Sequence, residues 1–184
     1  DIWDTTLFSS YIKKYDLTVI NPPTAYWAQL ARDWKEQPDL IPDNNLRLVI
    51  VGGDVLKPEA LAHWRATSLK NVRILNAYGP TETIITASTY EVPADFNSAR
   101  LPIGKARANR NFYILDRFGQ IQPPGIPGEL HIGGSALAKG YLNRPELTGE
   151  RFVINPLKPD SNERLYRTGD RVRFCADGNV EFMG

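Results

Sequence analysis

Val72-Arg73-Ile74-Leu75-Asn76-Ala77-Tyr78-Gly79-Pro80-Thr81-Glu82 is the stretch on which the reading of this chain turns. The apolar run from Val72 to Leu75 predicts a buried strand, and Gly79-Pro80 ends regular structure abruptly. An amide, an aromatic ring, a tight turn, a hydroxyl and a carboxylate then follow in succession. An ordinary polar loop behind a strand has the same composition, so the weight falls on what surrounds it.

Upstream, Thr5 to Tyr15 sets Leu7, Phe8, Tyr11, Ile12 and Tyr15 on one helical face, with Asp4 as cap. Thr18 to Asn21 predicts a short buried strand, stopped by Pro22-Pro23. Thr24 is placed to cap a helix whose Trp27, Leu30, Ala31 and Trp34 form a core face. Pro38 to Asn45 is a loop. Leu46 to Val51 predicts a second strand with Gly52-Gly53-Asp54 at its end, and Pro58 opens a third helix carrying Leu61, Trp64 and Arg65. Val72 to Ala77 completes strand, helix, strand, helix, strand. Continuous apolar runs in that order imply parallel pairing, where ligands lie outside the carboxyl ends of the strands. Asn21, Gly52-Gly53-Asp54 and Asn76 to Glu82 all fall there.

From about Pro102 the strands shorten and turns multiply. Phe112 to Leu115 precedes the turn Asp116-Arg117-Phe118-Gly119. Glu129 to Ile132 alternates polar and apolar, as a half-buried strand does. Arg171 to Phe174, Asp177-Gly178-Asn179 and Val180 to Phe182 predict a hairpin. The fold class is therefore α/β: part of a parallel βαβ lobe over residues 1–101, then a mostly antiparallel, barrel-like β lobe over residues 102–184.

The 184 residues are 42% hydrophobic and 23% charged, enough for a sizeable core and too apolar for a disordered chain. A net charge of +1 gives no footprint for nucleic acid or an anionic membrane. No apolar run nears the roughly 20 residues of a membrane helix. Asp1-Ile2-Trp3 is no natural start, and no signal-peptide pattern follows. Cys175 alone excludes a disulfide framework and fits a reducing cytoplasm. Gly133 to Gly140 suggests a phosphate loop but lacks its Gly-Lys-Ser/Thr ending. His63 and His131 lack metal partners and read as solvated or packed. Asp170, behind Thr168-Gly169, reads as a turn carboxylate able to accept two hydroxyls.

Together these pieces resemble the amino-acid adenylation domains of nonribosomal peptide synthetases, within the adenylate-forming superfamily. Asn76 to Glu82 is similar to that family's Asn-x-Tyr-Gly-Pro-Thr-Glu motif. Gly128 to Tyr141, with Arg144-Pro145-Glu146-Leu147-Thr148 and Phe152, resembles the next. Tyr166-Arg167-Thr168-Gly169-Asp170 matches the one after, and Gly178 to Gly184 opens another. Ala136 replaces a usual Gly and Lys139 a usual Arg. The resemblance covers essentially the whole chain, which then corresponds to an internal piece. The family's phosphate loop, the Asp that meets the substrate's α-amino group, and the C-terminal lid with its catalytic Lys are expected outside it.

The resemblance implies ATP-dependent activation of an amino acid as its adenylate, for loading onto the phosphopantetheine of a carrier domain. Catalysis falls to Thr81 and Glu82, with Glu82 holding Mg²⁺. The nucleotide falls to Gly53, Asp54, Asn76, Ala77, Tyr78, Gly79, Thr81, Asp170 and Phe182. Tyr78 stacks on adenine, Asn76 meets its amino group and Asp170 clamps the ribose. The substrate pocket falls to Asn21, Val49, Val51, Ala77, Ile85 and Thr86, an aliphatic lining for a neutral side chain. A peptidyl carrier domain and a condensation domain are the implied partners, with no nucleic acid and no membrane. An acyl- or aryl-CoA ligase and a non-catalytic nucleotide-binding module are the competing readings, and the peptide-synthetase character of Asn21 to Trp27 speaks against the ligase.

Overall fold

A computed structural model describes residues 4–184; Asp1-Ile2-Trp3 lies outside them. The chain divides into two compact units. One runs up to Asn76 and takes up Glu91–Leu101; the other comprises Ala77–Tyr90 and Pro102–Gly184.

The first unit opens with α1 (Thr5–Lys14), whose Asp4 carboxylate accepts the Leu7 amide at 2.7 Å. Phe8 and Ile12 are buried on the expected face, while Leu7 and Tyr15 lie exposed. β1 is short (Val19–Ile20) and pairs in parallel with β2 (Leu48–Gly52). Between them runs α2 (Thr24–Glu36), and α3 (Pro58–Arg65) follows β2. β3 (Arg73–Tyr78), which this unit owns as far as Asn76, is β2's other neighbour. Trp27, Leu30, Ala31 and Trp34 of α2 are fully buried, as is Trp64 of α3. The Trp64 ring lies 5.6 Å from Trp27 and 6.0 Å from Trp34, centroid to centroid. Arg65 holds the returning segment, donating to Phe96 O at 2.5 Å and Pro93 O at 2.6 Å.

Thr24 does not cap α2. Pro23 occupies the cap position, and the Thr24 hydroxyl donates to Gly52 O at 3.0 Å and Asp54 O at 3.2 Å. The β2 exit offers bare carbonyls, and a buried hydroxyl satisfies them better than it would serve a helix end.

The second unit is a sheet in the order β4 (Ser88–Glu91), β5 (Pro102–Ala106), β10 (Val180–Phe182), β9 (Arg164–Phe174), β7 (Gly128–Gly134), β6 (Arg110–Leu115). A further strand, β8 (Phe152–Ile154), also pairs with β9. The pairs β4–β5, β5–β10, β10–β9, β9–β7 and β7–β6 are all antiparallel. β4 and β6 stand at opposite ends of this order, so the sheet is open; the barrel-like expectation is corrected to an open, bulged sheet. Its core is Ala87, Ile103, Ile114, Leu130, Ile132, Val172 and Val180, with Tyr78, Phe112, Phe174 and Phe182 packed against it.

A second correction concerns β7. Leu130, His131, Ile132 and Gly133 are all buried, so the alternation read as half-buried does not hold. β7 is flanked by strands on both edges, and His131 lies opposite Tyr113 on one and Arg167 on the other. A helix, α4 (Pro145–Arg151), follows the Gly133–Gly140 loop, with Pro at its first turn.

Candidate nucleotide site

Tyr78 carries the second unit's site. It ends β3, where its carbonyl accepts the Ala87 amide at 2.7 Å. The chain therefore doubles back within nine residues, through the 3₁₀ turn Thr81–Thr83. Ile84 and Ile85 leave that turn with φ of 60° and 54°. Two consecutive β-branched residues in the left-handed region mark a strained segment. Its rigid partner is Gly79, where an added Cβ would lie 2.4 Å from both Ala87 N and Ile85 O.

The Tyr78 hydroxyl donates to Asp170, 92 residues away. Burial, then the hydrogen bond and charge of Asp170, push the Tyr78 phenol well above its ordinary range, so it stays protonated and remains the donor. Asp170 reaches it from a distortion of β9 that the sequence presents as a turn. Glu129 and His131 of β7 pair with Arg171 and Arg167 of β9, so two steps on β7 match four on β9. Thr168-Gly169-Asp170 therefore stands opposite Leu130 alone, with Gly169 at φ +83°. Thr168 Oγ1 pins this bulge, donating to Leu130 O at 2.8 Å and accepting the Asp170 amide at 3.0 Å. A bulge re-aims a side chain that regular alternation would fix. Here it delivers the carboxylate to Tyr78. One Asp170 oxygen is engaged; a carboxylate accepts up to about four hydrogen bonds, leaving capacity for a vicinal diol.

Glu82 sits in the 3₁₀ turn and is held twice. Its backbone carbonyl accepts the Ala138 amide at 2.8 Å, and its Oε1 accepts the Tyr141 hydroxyl at 2.5 Å. Tyr166 Oη lies 3.4 Å from Tyr141 Oη. Burial would raise the Glu82 carboxyl, but hydrogen bonds from Tyr141 and Tyr166, with the Arg151 charge, outweigh it and hold it below the usual carboxylate range. Burial and the neighbouring acceptors push the Tyr141 and Tyr166 phenols upward. Among the described residues no group of three or more acidic, His or Cys side chains gathers around a metal-sized space. A lone ionised carboxylate nevertheless suits Mg²⁺, which takes one or two protein carboxylates and completes its shell with phosphate oxygens and water. Thr81 is exposed beside it.

Thus Ala77, Tyr78, Gly79, Thr81, Glu82, Ile85, Thr86, Asp170 and Phe182 all lie in the second unit. Tyr141 and Tyr166 were not among the predicted site residues. Both stand inside quoted motifs, but an aromatic within a motif reads first as packing.

In the first unit, Asn21 follows β1 and is exposed, Gly53 and Asp54 follow β2 and are exposed, and Asn76 is buried in β3. Val49 and Val51, which the resemblance assigns to the substrate pocket, share one face of β2. Both are fully buried, and β2 alternates so that Leu48, Ile50 and Gly52 take the other face.

A family model described as AMP-binding enzyme matches residues 1–142. Gramicidin S synthase 2 of Brevibacillus brevis is 43% identical over 183 residues, covering 98% of this chain and 4% of that protein. Tyrocidine synthase 1 of Brevibacillus parabrevis is 40% identical over 184 residues, covering 100% of this chain and 16% of that protein. The chain thus spans a small part of these relatives. Among solved structures, CmiS6 superposes with a TM-score of 0.87 at 30% identity, covering 98% of this chain and 44% of that one. PA1221, described as a nonribosomal peptide synthetase protein with adenylation and carrier domains, superposes at 0.81 and 30% identity, covering 99% and 31%.

Proposed function

The chain belongs to the AMP-binding enzyme family, and on that premise we propose that it supplies the nucleotide-binding part of an amino-acid adenylation domain in a peptide synthetase. In the reaction a carboxylate oxygen of the amino acid attacks the α-phosphorus of ATP. Pyrophosphate leaves, and the aminoacyl-adenylate is then captured by the thiol of a carrier domain's phosphopantetheine. The observation that supports this reading most is the Tyr78–Asp170 hydrogen bond, which joins two motifs 92 residues apart. An aromatic ring and a diol-accepting carboxylate side by side are what a nucleoside requires.

The roles follow from the chemistry of each group. Tyr78 offers its ring to adenine, with Phe182 packed on the same core, and Asp170 accepts the ribose hydroxyls. Ala77 and Gly79 flank Tyr78 toward the base, and the resemblance assigns Asn76, Gly53 and Asp54 to the nucleotide as well. Thr81 donates to the α-phosphate. Glu82 is the residue to hold Mg²⁺, which supplies charge neutralisation at the phosphates. To the amino acid the resemblance assigns Asn21, Val49, Val51, Ala77, Ile85 and Thr86, whose uncharged character favours a neutral side chain. The implied partners are a carrier domain and a condensation domain, and the implied setting is the cytoplasm. Among the described residues no helix is long and apolar enough to cross a membrane.

The test is exchange of labelled pyrophosphate into ATP by the parent protein across a panel of amino acids. Exchange with one or a few neutral amino acids is expected. Exchange with none of them, together with thioester formation from free coenzyme A and a simple carboxylic acid, would favour the CoA-ligase reading.

A further inference from the structure

Glu82 is held more firmly than its motif requires. The turn Thr81–Thr83 places it by main-chain geometry alone, yet the loop after β7 reaches back to it at two points: the Ala138 amide to its carbonyl at 2.8 Å, and the Tyr141 hydroxyl to its Oε1 at 2.5 Å. That loop is braced in turn. Arg164 donates to Lys139 O at 3.0 Å and to Ala138 O at 3.3 Å. The Tyr141 amide donates to Thr148 Oγ1 at 2.9 Å, and the Thr148 hydroxyl donates to Arg144 O at 2.9 Å, fixing the loop to the first turn of α4. Gly140, at φ +149°, lies so close to Thr148 that a Cβ would come within 2.5 Å of its methyl. The Tyr141 ring rests against Phe152 at 5.7 Å, and Phe152 against Tyr166 at 5.1 Å.

We infer that Tyr141 is a positioning residue for the divalent cation, with Tyr166 as its support: it fixes the orientation of the Glu82 carboxylate so that one oxygen is occupied by the phenol and the other is presented to the metal–phosphate complex. This rests on the proposed role of Glu82. The geometry explains why a phenol is used. It donates one hydrogen bond, adds no charge that would compete with the cation, and its ring is held against Phe152, which rests in turn on Tyr166. Partners of this kind, standing behind a metal-ligating group, commonly change metal affinity by about 10–100-fold when removed.

The test uses Mn²⁺ as probe, followed by electron paramagnetic resonance as it binds to the parent protein saturated with a nonhydrolysable ATP analogue, with AMP titration by calorimetry alongside. For Tyr141→Phe we expect the Mn²⁺ half-saturation to rise at least about tenfold, with AMP affinity within about twofold of the unaltered protein. Tyr166→Phe is expected to show a smaller rise in the same direction. In turnover, raised Mg²⁺ should restore the Tyr141→Phe rate. Unchanged Mn²⁺ half-saturation in Tyr141→Phe, with AMP and Mn²⁺ binding normally to the unaltered protein, would overturn the inference and leave the proposed function standing. Equal loss of AMP and Mn²⁺ binding would mark Tyr141 as merely structural and also overturn it. Absence of AMP binding in the unaltered protein would overturn the underlying reading and this inference with it.

Discussion

Gly79 has no room for a side chain, because the strained segment behind it folds back onto its Cα. Gly79→Ala should cost about 1–3 kcal/mol through overpacking against backbone atoms. Denaturant unfolding would show it as a lower midpoint at constant slope. What single residues disclose in the sequence is uneven. Tyr78 and Asp170 stand out because each sits beside a glycine, but the hydrogen bond between them was not read from the sequence, where Tyr78 counted as a ring. For Val49 and Val51, nothing in an apolar run says which face a valine takes; both are fully buried. Tyr141 and Tyr166 stayed hidden because the bond that gives Tyr141 its significance spans 59 residues, and no local pattern encodes it.

At the scale of elements, β7 and the β9 bulge are the informative parts. His131 lies buried in β7. Burial and the Arg167 charge hold its imidazole below the ordinary value of about 6.5, against the opposing pull of the Glu129 carbonyl and carboxylate. The unfolded chain therefore takes up the proton first. Stability is full above about pH 6.5 and falls as the pH drops from there toward the folded-state value. His131→Gln should flatten this part of the profile, measured as unfolding free energy between about pH 7 and pH 5. The bulge makes a second prediction. Gly169→Ala forces a side chain into φ +83°, costing of the order of 1 kcal/mol or more. It should also weaken AMP binding by displacing Asp170. Strand positions in both halves and the β9–β10 hairpin were legible from periodicity and turn residues. The bulge was not, since Thr-Gly-Asp in the middle of a strand and at its end look alike. β4, β5, β8 and α4 were also missed, each being only a few residues long.

At the scale of the molecule, the two units have distinct reporters. Among the described residues the tryptophans are Trp27, Trp34 and Trp64, all in the first unit, so their indole emission follows that unit. Trp64→Ala should cost about 3–5 kcal/mol there, as removal of a fully buried large aromatic does, read as an earlier transition in tryptophan fluorescence. The parallel start and antiparallel continuation were legible in the sequence. The closure was not: short strands and frequent turns suit a barrel and an open sheet equally, and only the pairing order tells them apart. The central claim, that this chain carries the nucleoside side of an adenylating site, is tested most directly by calorimetric titration of AMP into the parent protein and its Asp170→Ala variant. The account predicts saturable AMP binding weakened at least about tenfold in the variant, as expected for lost hydrogen bonds to a charged group. AMP binding that is undetectable in the unaltered protein, or equal in the two, would contradict it.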